Sequence, residues 1–104
     1  MAWHVYVAYF FGGAFFVNTV PHFTSGVMGR RFPSPFSSPP GKGESPPMVN
    51  VLWGALNPAV GYLLVCHVGE FHLRPTPDVL VLGVGGLLMA VMLARSFVQA
   101  YSAR

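Results

Sequence analysis

The sequence is poor in charged residues. Asp, Glu, Lys and Arg together make up 9% of the 104 residues, whereas a soluble globular domain carries about 25%. Mean hydropathy is correspondingly high, at +0.53. A surface with so little charge does not keep a protein dissolved in water. The composition therefore excludes an ordinary soluble domain and favours a membrane protein.

Carboxylates and cysteines are scarcer still. Glu44, Glu70 and Asp78 are the only carboxylate side chains, and no two stand at a spacing that suggests a shared general acid and base. Cys66 is the single cysteine, which excludes an internal disulfide. Its neighbour His67 would point about 100° away on a helix, so the two do not form a nucleophile and base pair. We therefore expect a protein that is not an enzyme by itself.

Three long runs without charge dominate the rest of the chain. The run Val49–Val68 is the one around which we expect the chain to be organised, because at about 1.5 Å per residue it spans roughly the 30 Å hydrocarbon core of a bilayer. Residues 3–20 and 79–98 form two further runs, and Pro21 is expected to end the first. So short a chain cannot wrap these helices in protein. The sequence predicts an all-α integral membrane protein with three transmembrane helices in a single membrane domain, 1–104.

Residues 21–47 are rich in proline, glycine and serine, which predicts a long Pro/Gly-rich loop between the first and second helices. The loop also carries aromatic and basic side chains that a purely solvated linker does not need. These favour a segment that lies on the bilayer or docks on a partner, although the basic residues would also serve to set the topology. The candidate interaction residues are His22, Arg30, Arg31, Phe32 and Phe36.

Lys and Arg fall unevenly about the three runs. Of the six, only Arg74 lies in the second connection, and the others belong to the first loop or the C-terminal end. The positive-inside rule then places the N-terminus outside and the C-terminus in the cytoplasm, as in a bacterial inner (plasma) membrane. The same residues form no basic face, so the net charge of +3 does not indicate a nucleic-acid partner.

This topology brings several histidines to the outer side of the membrane. A His-x-x-Glu-x-His pattern occupies residues 67–72, and such a spacing could offer ligands to a divalent metal or haem, with a histidine from a neighbouring helix completing the site. The candidate ligands are His4, His67, Glu70 and His72. The alternatives are a proton-linked role and a plain polar turn near the lipid head groups. Asp78 is expected to cap the third helix.

Asn57 and Pro58 lie in the middle of the central run. An amide side chain is costly there unless it bonds inside a bundle, and Pro58 is expected to kink the helix. A polar kink could form a pocket for an ion, a quinone or a pigment. The alternative is packing, in which Asn57 bonds to a neighbouring backbone. Asn18 and Asn50 are expected to hydrogen-bond across the first and second helices.

Three helices leave little interior, so we expect the helix glycines to contact other chains. These are Gly12, Gly13, Gly54, Gly61, Gly83, Gly85 and Gly86. The expected function is a non-catalytic structural or interaction subunit, as a homo-oligomer or an accessory subunit of a larger membrane complex. Two alternatives stay open: an oligomeric transporter or channel with a polar path near Asn57, and a redox subunit that binds metal, haem or quinone through His4, His67 and His72. The sequence indicates no particular cofactor.

Overall fold

The computed structural model describes residues 2–73 and 76–102, and this part of the chain contains three helices and no strand. The helices are α1 (Trp3–Val27), α2 (Pro47–Cys66) and α3 (Pro77–Ser102). Residues 28–46 connect the first two helices and contain an isolated antiparallel bridge between Phe32 and Ser45. By length and composition α2 and α3 could each cross a membrane. The prediction of an all-helical fold is therefore confirmed for the described residues, and two of the three predicted spans coincide with helices that are long and apolar enough to cross a membrane.

The surfaces of α2 and α3 are mostly unburied. In the core helix of a soluble protein most of the apolar window would be covered, but only 28% of that window in α2 and 17% of it in α3 lies inside the molecule. Large apolar side chains such as Leu52, Leu80 and Leu87 are more than half exposed. Such extended apolar faces favour hydrocarbon over water as the surrounding medium.

The prediction that Pro21 ends the first helix is wrong, because α1 continues through this proline to Val27. A proline inside a helix loses one backbone hydrogen bond, and that loss is tolerated when packing holds the following turn in place. His22 and Gly26 in that turn are buried. The connection is accordingly 28–46 rather than 21–47, and His22 belongs to a helix.

The other helix limits also differ from the predicted runs. α2 begins two residues early, at Pro47, which occupies the first turn, where proline costs no hydrogen bond. α3 runs past residue 98 to Ser102. Asp78 does not cap α3 from outside; it lies within the first turn of the helix, and its carboxylate accepts a hydrogen bond from the backbone of His72.

The expectation that the apolar run of α2 organises the chain is also wrong, because α1 lies between the other two helices. α1 packs against both α2 and α3, whereas within the described residues no Cα atom of α2 lies within 8 Å of a Cα atom of α3. The central helix carries Asn18, Thr19 and His22 in its second half. Lipid offers such side chains no hydrogen-bonding partner, so the helix that contains them takes the position that is covered on two sides.

The glycines bring the helices together within the chain. A Cβ added to Gly13 or Gly85 would overlap the backbone of the facing helix, and one added to Gly54 would lie 2.6 Å from the backbone nitrogen of Phe23. Of the seven glycines singled out from the sequence, only Gly83 faces open space. The expectation that a single chain leaves these glycines little interior is therefore wrong for the other six, since close crossing of the helices gives the chain an interior of its own. Contact of glycines with other chains stays a prediction.

Candidate functional site

A row of hydrogen bonds joins the polar side chains of α1 to α2. Asn18 donates from Nδ2 to Oδ1 of Asn57 at 2.9 Å, and Asn57 donates to the backbone carbonyl of Trp53 at 2.7 Å. Thr19 donates to the carbonyl of Gly54. Asn57 is fully buried, and both ends of its amide are thus bonded within the chain. This arrangement is that of the packing alternative, and α2 continues without a break through the neighbouring proline.

His22 and Asn50 form the next pair in this row, and their hydrogen bonds determine which imidazole nitrogen carries the proton. Asn50 donates from Nδ2 to the carbonyls of Phe32 at 2.9 Å and Ser45 at 3.2 Å. Its Oδ1 is therefore the atom that lies 3.0 Å from Nδ1 of His22. An amide oxygen only accepts, so this network assigns the proton of a neutral imidazole to Nδ1. Nε2 then presents a lone pair.

The lone pair of His22 has no hydrogen-bonding partner among the described residues. The side chain is 3% exposed, and three aromatic rings surround it. The ring centroid of His22 lies 5.8 Å from that of Phe32, 6.3 Å from that of Trp53 and 6.1 Å from that of Phe97. His22 is therefore a buried imidazole with one nitrogen still available to a ligand.

His22 lies in the wall of a cleft of about 780 Å³. The cleft lies between α2 and α3, at the end of the molecule where the 28–46 connection crosses the helices. All three helices and the connection line the cleft. The helices contribute Asn18 and His22 (α1), Trp53 (α2), and Ser96, Phe97 and Gln99 (α3). The connection closes one side with Pro33, Pro39 and Lys42. The indole Nε1 of Trp53 is buried and has no partner among the described residues. The cleft wall thus offers one unused acceptor, Nε2 of His22, whereas the indole nitrogen of Trp53 lies in the interior.

The connection that closes the cleft is folded onto the helices. Phe32 and Ser45 exchange backbone hydrogen bonds of 3.2 and 2.9 Å, and Ser34 and Ser45 share a hydroxyl hydrogen bond of 2.6 Å. The ring of Phe32 lies 4.6 Å from that of Phe97. Several contacts therefore hold this proline-rich segment in one arrangement over His22.

The residues predicted to contact lipid or a partner are divided between interior and surface. His22 is buried, and Phe32 packs inside the chain. Phe36 contacts the ring of Trp53 at 5.3 Å but remains 65% exposed. Arg30 and Arg31 are exposed, and Arg31 donates to the carbonyl of Glu44 at 3.4 Å. Only part of the predicted interaction surface therefore remains open to a partner.

The predicted metal ligands lie at the opposite end of the helices and do not meet. Within residues 2–73 and 76–102, no three His, Cys, Asp or Glu side chains are placed to hold a metal ion. His4 contacts Trp3, and His67 contacts Tyr62. His72 instead lies 3.3 Å from the buried carboxylate of Asp78. Glu70 is exposed, and Arg74 and Arg104, which the charge count used, lie outside the described residues.

Sequence reasoning did not find most of the cleft. Trp53, Ser96, Phe97 and Gln99 were not singled out, because each looks like an ordinary residue of an apolar helix. The signal that the sequence does contain is the pairing of polar residues in two neighbouring runs, since asparagine and histidine inside a span require partners. That signal locates the α1–α2 contact, but not the cleft beside it.

No protein-family model matches the chain, and it matches no curated protein and no solved structure. The class that the fold and the site define is a small all-helical protein with two candidate membrane spans and a cleft at one end of its helices. The chemistry of that cleft is then the basis for a functional conclusion.

Proposed function

We propose that the protein is a three-span protein of the bacterial inner membrane and that it binds a small amphipathic molecule in the cleft, as a non-catalytic subunit. The observation that carries this proposal is His22, a 3% exposed side chain in the cleft wall whose Nε2 has no partner among the described residues. Since Nε2 is not one of the fully buried, unpartnered atoms of the described residues, it faces the cleft. A largely apolar cavity with a few accessible polar atoms is typical of a small-molecule site.

The role of α1 as a third span rests on its length and on where its polar groups lie. With 25 residues at about 1.5 Å each it is long enough to cross a hydrocarbon core. Tyrosine, glycine, asparagine and histidine lower its hydropathy below that of α2 and α3. Asn18, Thr19 and His22 nevertheless bond to α2, so their cost in lipid is largely removed. The exposed Arg30 and Arg31 support a cytoplasmic position for the connection.

An amphipathic ligand agrees with the position of the cleft. Polar atoms are concentrated beside the connection, at the end of the helices, where a membrane meets water. Farther along the helices, the gap between α2 and α3 is lined by apolar side chains such as Leu93. A polar group of the ligand would therefore lie beside His22, and an apolar tail would extend toward the surrounding hydrocarbon.

The interaction role expected from the sequence is compatible with this proposal. Phe36 is 65% exposed and lies against Trp53, so the outer face of the connection offers an aromatic surface next to the cleft. The affinity of a partner subunit, or of a second copy of the chain, for Phe36 would depend on whether the cleft is occupied, because Phe36 contacts Trp53 in the cleft wall. The bound molecule and the partner would then act at the same end of the molecule.

Cleft filling tests the proposal. Ser96→Trp places an indole in the cleft, whereas Val98→Trp adds the same side chain to the same helix at a position that is 65% exposed and outside the cleft lining. Each protein is purified in mild detergent, and its organic extract is analysed by mass spectrometry. We expect a molecule that copurifies with the wild type and Val98→Trp and is depleted from Ser96→Trp. Identical extracts from all three would contradict the proposal.

A further inference from the structure

The hydrogen bonds of Asn50 also restrict the chemistry of the molecule that His22 can bind. The amide nitrogen of Asn50 faces backbone carbonyls, so its oxygen faces His22 and Nδ1 of the imidazole is the donor. Nε2 of the neutral ring is then an acceptor. A ligand group that bonds to it must donate a hydrogen. Carbonyl, ether and carboxylate groups do not, whereas a hydroxyl or an N–H does.

The charges around the cleft disfavour an ammonium group as this donor. Lys42 is the only charged residue in the described lining, and no carboxylate lines the cleft. A cation placed beside His22 would therefore lose its hydration without gaining a counter-charge. A neutral donor avoids this cost, and a hydroxyl also accepts hydrogen bonds.

The walls beside His22 are flat and apolar. The rings of Trp53 and Phe97 have centroids 6.3 and 6.1 Å from that of His22, and Pro33 and Pro39 close the side toward the connection. These separations describe edge-to-face packing on the imidazole itself, and an aromatic ring added beside it would gain edge-to-face or offset contacts with the same cluster. This lining favours a planar ring over a flexible head group such as a glycerol.

We infer that the ligand is a hydroxylated aromatic ring with an apolar tail, a lipid-like phenol or hydroquinone, whose hydroxyl donates to Nε2 of His22. This inference rests on the proposed function, because it names the class of molecule that the same cleft binds. The ring packs between Trp53 and Phe97, and the tail leaves through the gap between α2 and α3. Binding of this kind requires no bond to form or break.

A pair of probes that differ only in the hydroxyl tests the inference. Binding of radiolabelled 4-decylphenol and of its methyl ether, 4-decylanisole, is measured on the full chain in lipid nanodiscs. The anisole has the same ring and tail but no hydrogen to donate, so we expect the phenol to bind at least about tenfold more tightly. A decyl-substituted hydroquinone distinguishes the two candidate ligand classes. If it binds more tightly than the phenol, the ligand is a hydroquinone; if the two bind equally, a single hydroxyl is sufficient and the ligand is a simple phenol.

His22→Asn is the matched variant. Its amide nitrogen lies near the position of Nδ1, so the donor to Asn50 is kept while Nε2 is removed. We expect this variant to lose the preference for the phenol and to keep the thermal stability of the wild type. Ser96→Trp, which leaves His22 intact, should block both probes and serves as the second variant should His22→Asn fold poorly.

Three results would overturn the inference: equal affinity of the wild type for phenol and anisole, binding of neither probe, or an unchanged preference in His22→Asn. None of them would by itself remove the proposed function, which fails only if cleft filling leaves the copurified molecules unchanged. The two conclusions are therefore tested by separate measurements.

Discussion

Asn50 joins three parts of the chain through one amide group. Its nitrogen donates to carbonyls of the connection, and its oxygen accepts from His22 on α1, while the residue itself belongs to α2. The side chain is fully buried. The carbonyls of Phe32 and Ser45 also accept backbone hydrogen bonds from each other's N–H groups, whereas Nδ1 of His22 has Asn50 as its partner. Leaving such a buried group unsatisfied costs about 1–3 kcal/mol.

Replacement of Asn50 should therefore be costly. We expect Asn50→Leu to lower the free energy of unfolding by about 1–3 kcal/mol, because Nδ1 of His22 loses its partner while buried and the connection loses the amide bonds to the carbonyls of Phe32 and Ser45. Unfolding in mixed micelles measures the change. Thr24→Val on α1 is the control, since Thr24 is exposed and makes no side-chain hydrogen bond in the described structure. A loss in Asn50→Leu no larger than in this control would show that the amide does not hold the connection.

At the scale of the helices, the contact between α1 and α3 depends on the absence of side chains. Gly85 faces the backbone of Phe10, and Gly13 faces that of Leu82. A methyl group at either position has no space to occupy unless the two helices separate. Gly83 lies two residues from Gly85 and meets nothing within 4 Å, so it provides an internal comparison.

Two alanine substitutions on α3 should have opposite effects. We expect Gly85→Ala to destabilise the protein by about 1–3 kcal/mol, because the added methyl group overpacks the helix contact. Gly83→Ala should be neutral or should stabilise by up to about 1 kcal/mol, since alanine favours helix more than glycine does. Thermal unfolding of both variants measures the difference. Equal effects would mean that α1 and α3 do not approach as closely as the structure shows.

The helices show which part of the fold a sequence can predict. The positions of α2 and α3 follow from the sequence because both are long, continuous apolar runs. The sequence predicts too early an end for α1, because the expectation that Pro21 ends a helix considers only neighbouring residues. The packing that keeps the next turn helical comes from α2. The central position of α1 does not follow from hydropathy either, because hydropathy measures only how apolar a helix is. The helix that packs against both others is the one whose Asn18, Thr19 and His22 require hydrogen-bonding partners.

The cleft was harder to predict than the helices. Its lining joins α1, α2, α3 and the connection, and no spacing along the chain relates Trp53 to Phe97. His22 was singled out from the sequence, but as a loop residue beside Arg30 and Arg31. The role of Asn50 in fixing its proton depends on the positions of two carbonyls of the connection, which only the folded chain provides.

For the whole molecule, the proposed topology places the two ends of the helices on opposite sides of a membrane. Cys66 lies at one end and is exposed, whereas Met28 lies at the other and is 58% exposed. Since Cys66 is the only cysteine, the chain carries a natural reporter of orientation. Met28→Cys in a Cys66→Ser background moves this reporter across the membrane without changing any charge.

Labelling of intact bacterial cells with a membrane-impermeant maleimide measures the orientation. Under the proposed topology, the positive charges of the connection would keep the other end of the helices in the cytoplasm, so we expect wild-type Cys66 to react from outside. Met28→Cys with Cys66→Ser should react only after the cells are permeabilised. Reaction of both proteins from the same side would overturn the proposed crossing. Assembly with further chains also remains a prediction, although the glycines no longer support it.

The separation of α2 from α3 affects the order in which the helices can pack during synthesis. Everything that fixes the proton on His22, including the connection and the hydrogen bonds of Asn50, belongs to residues that emerge from the ribosome before α3. The hairpin of α1 and α2 can therefore acquire its internal order first. α3 then packs against α1 and adds Ser96, Phe97 and Gln99 to the wall of the cleft, so the cleft is complete only once the last helix is in place.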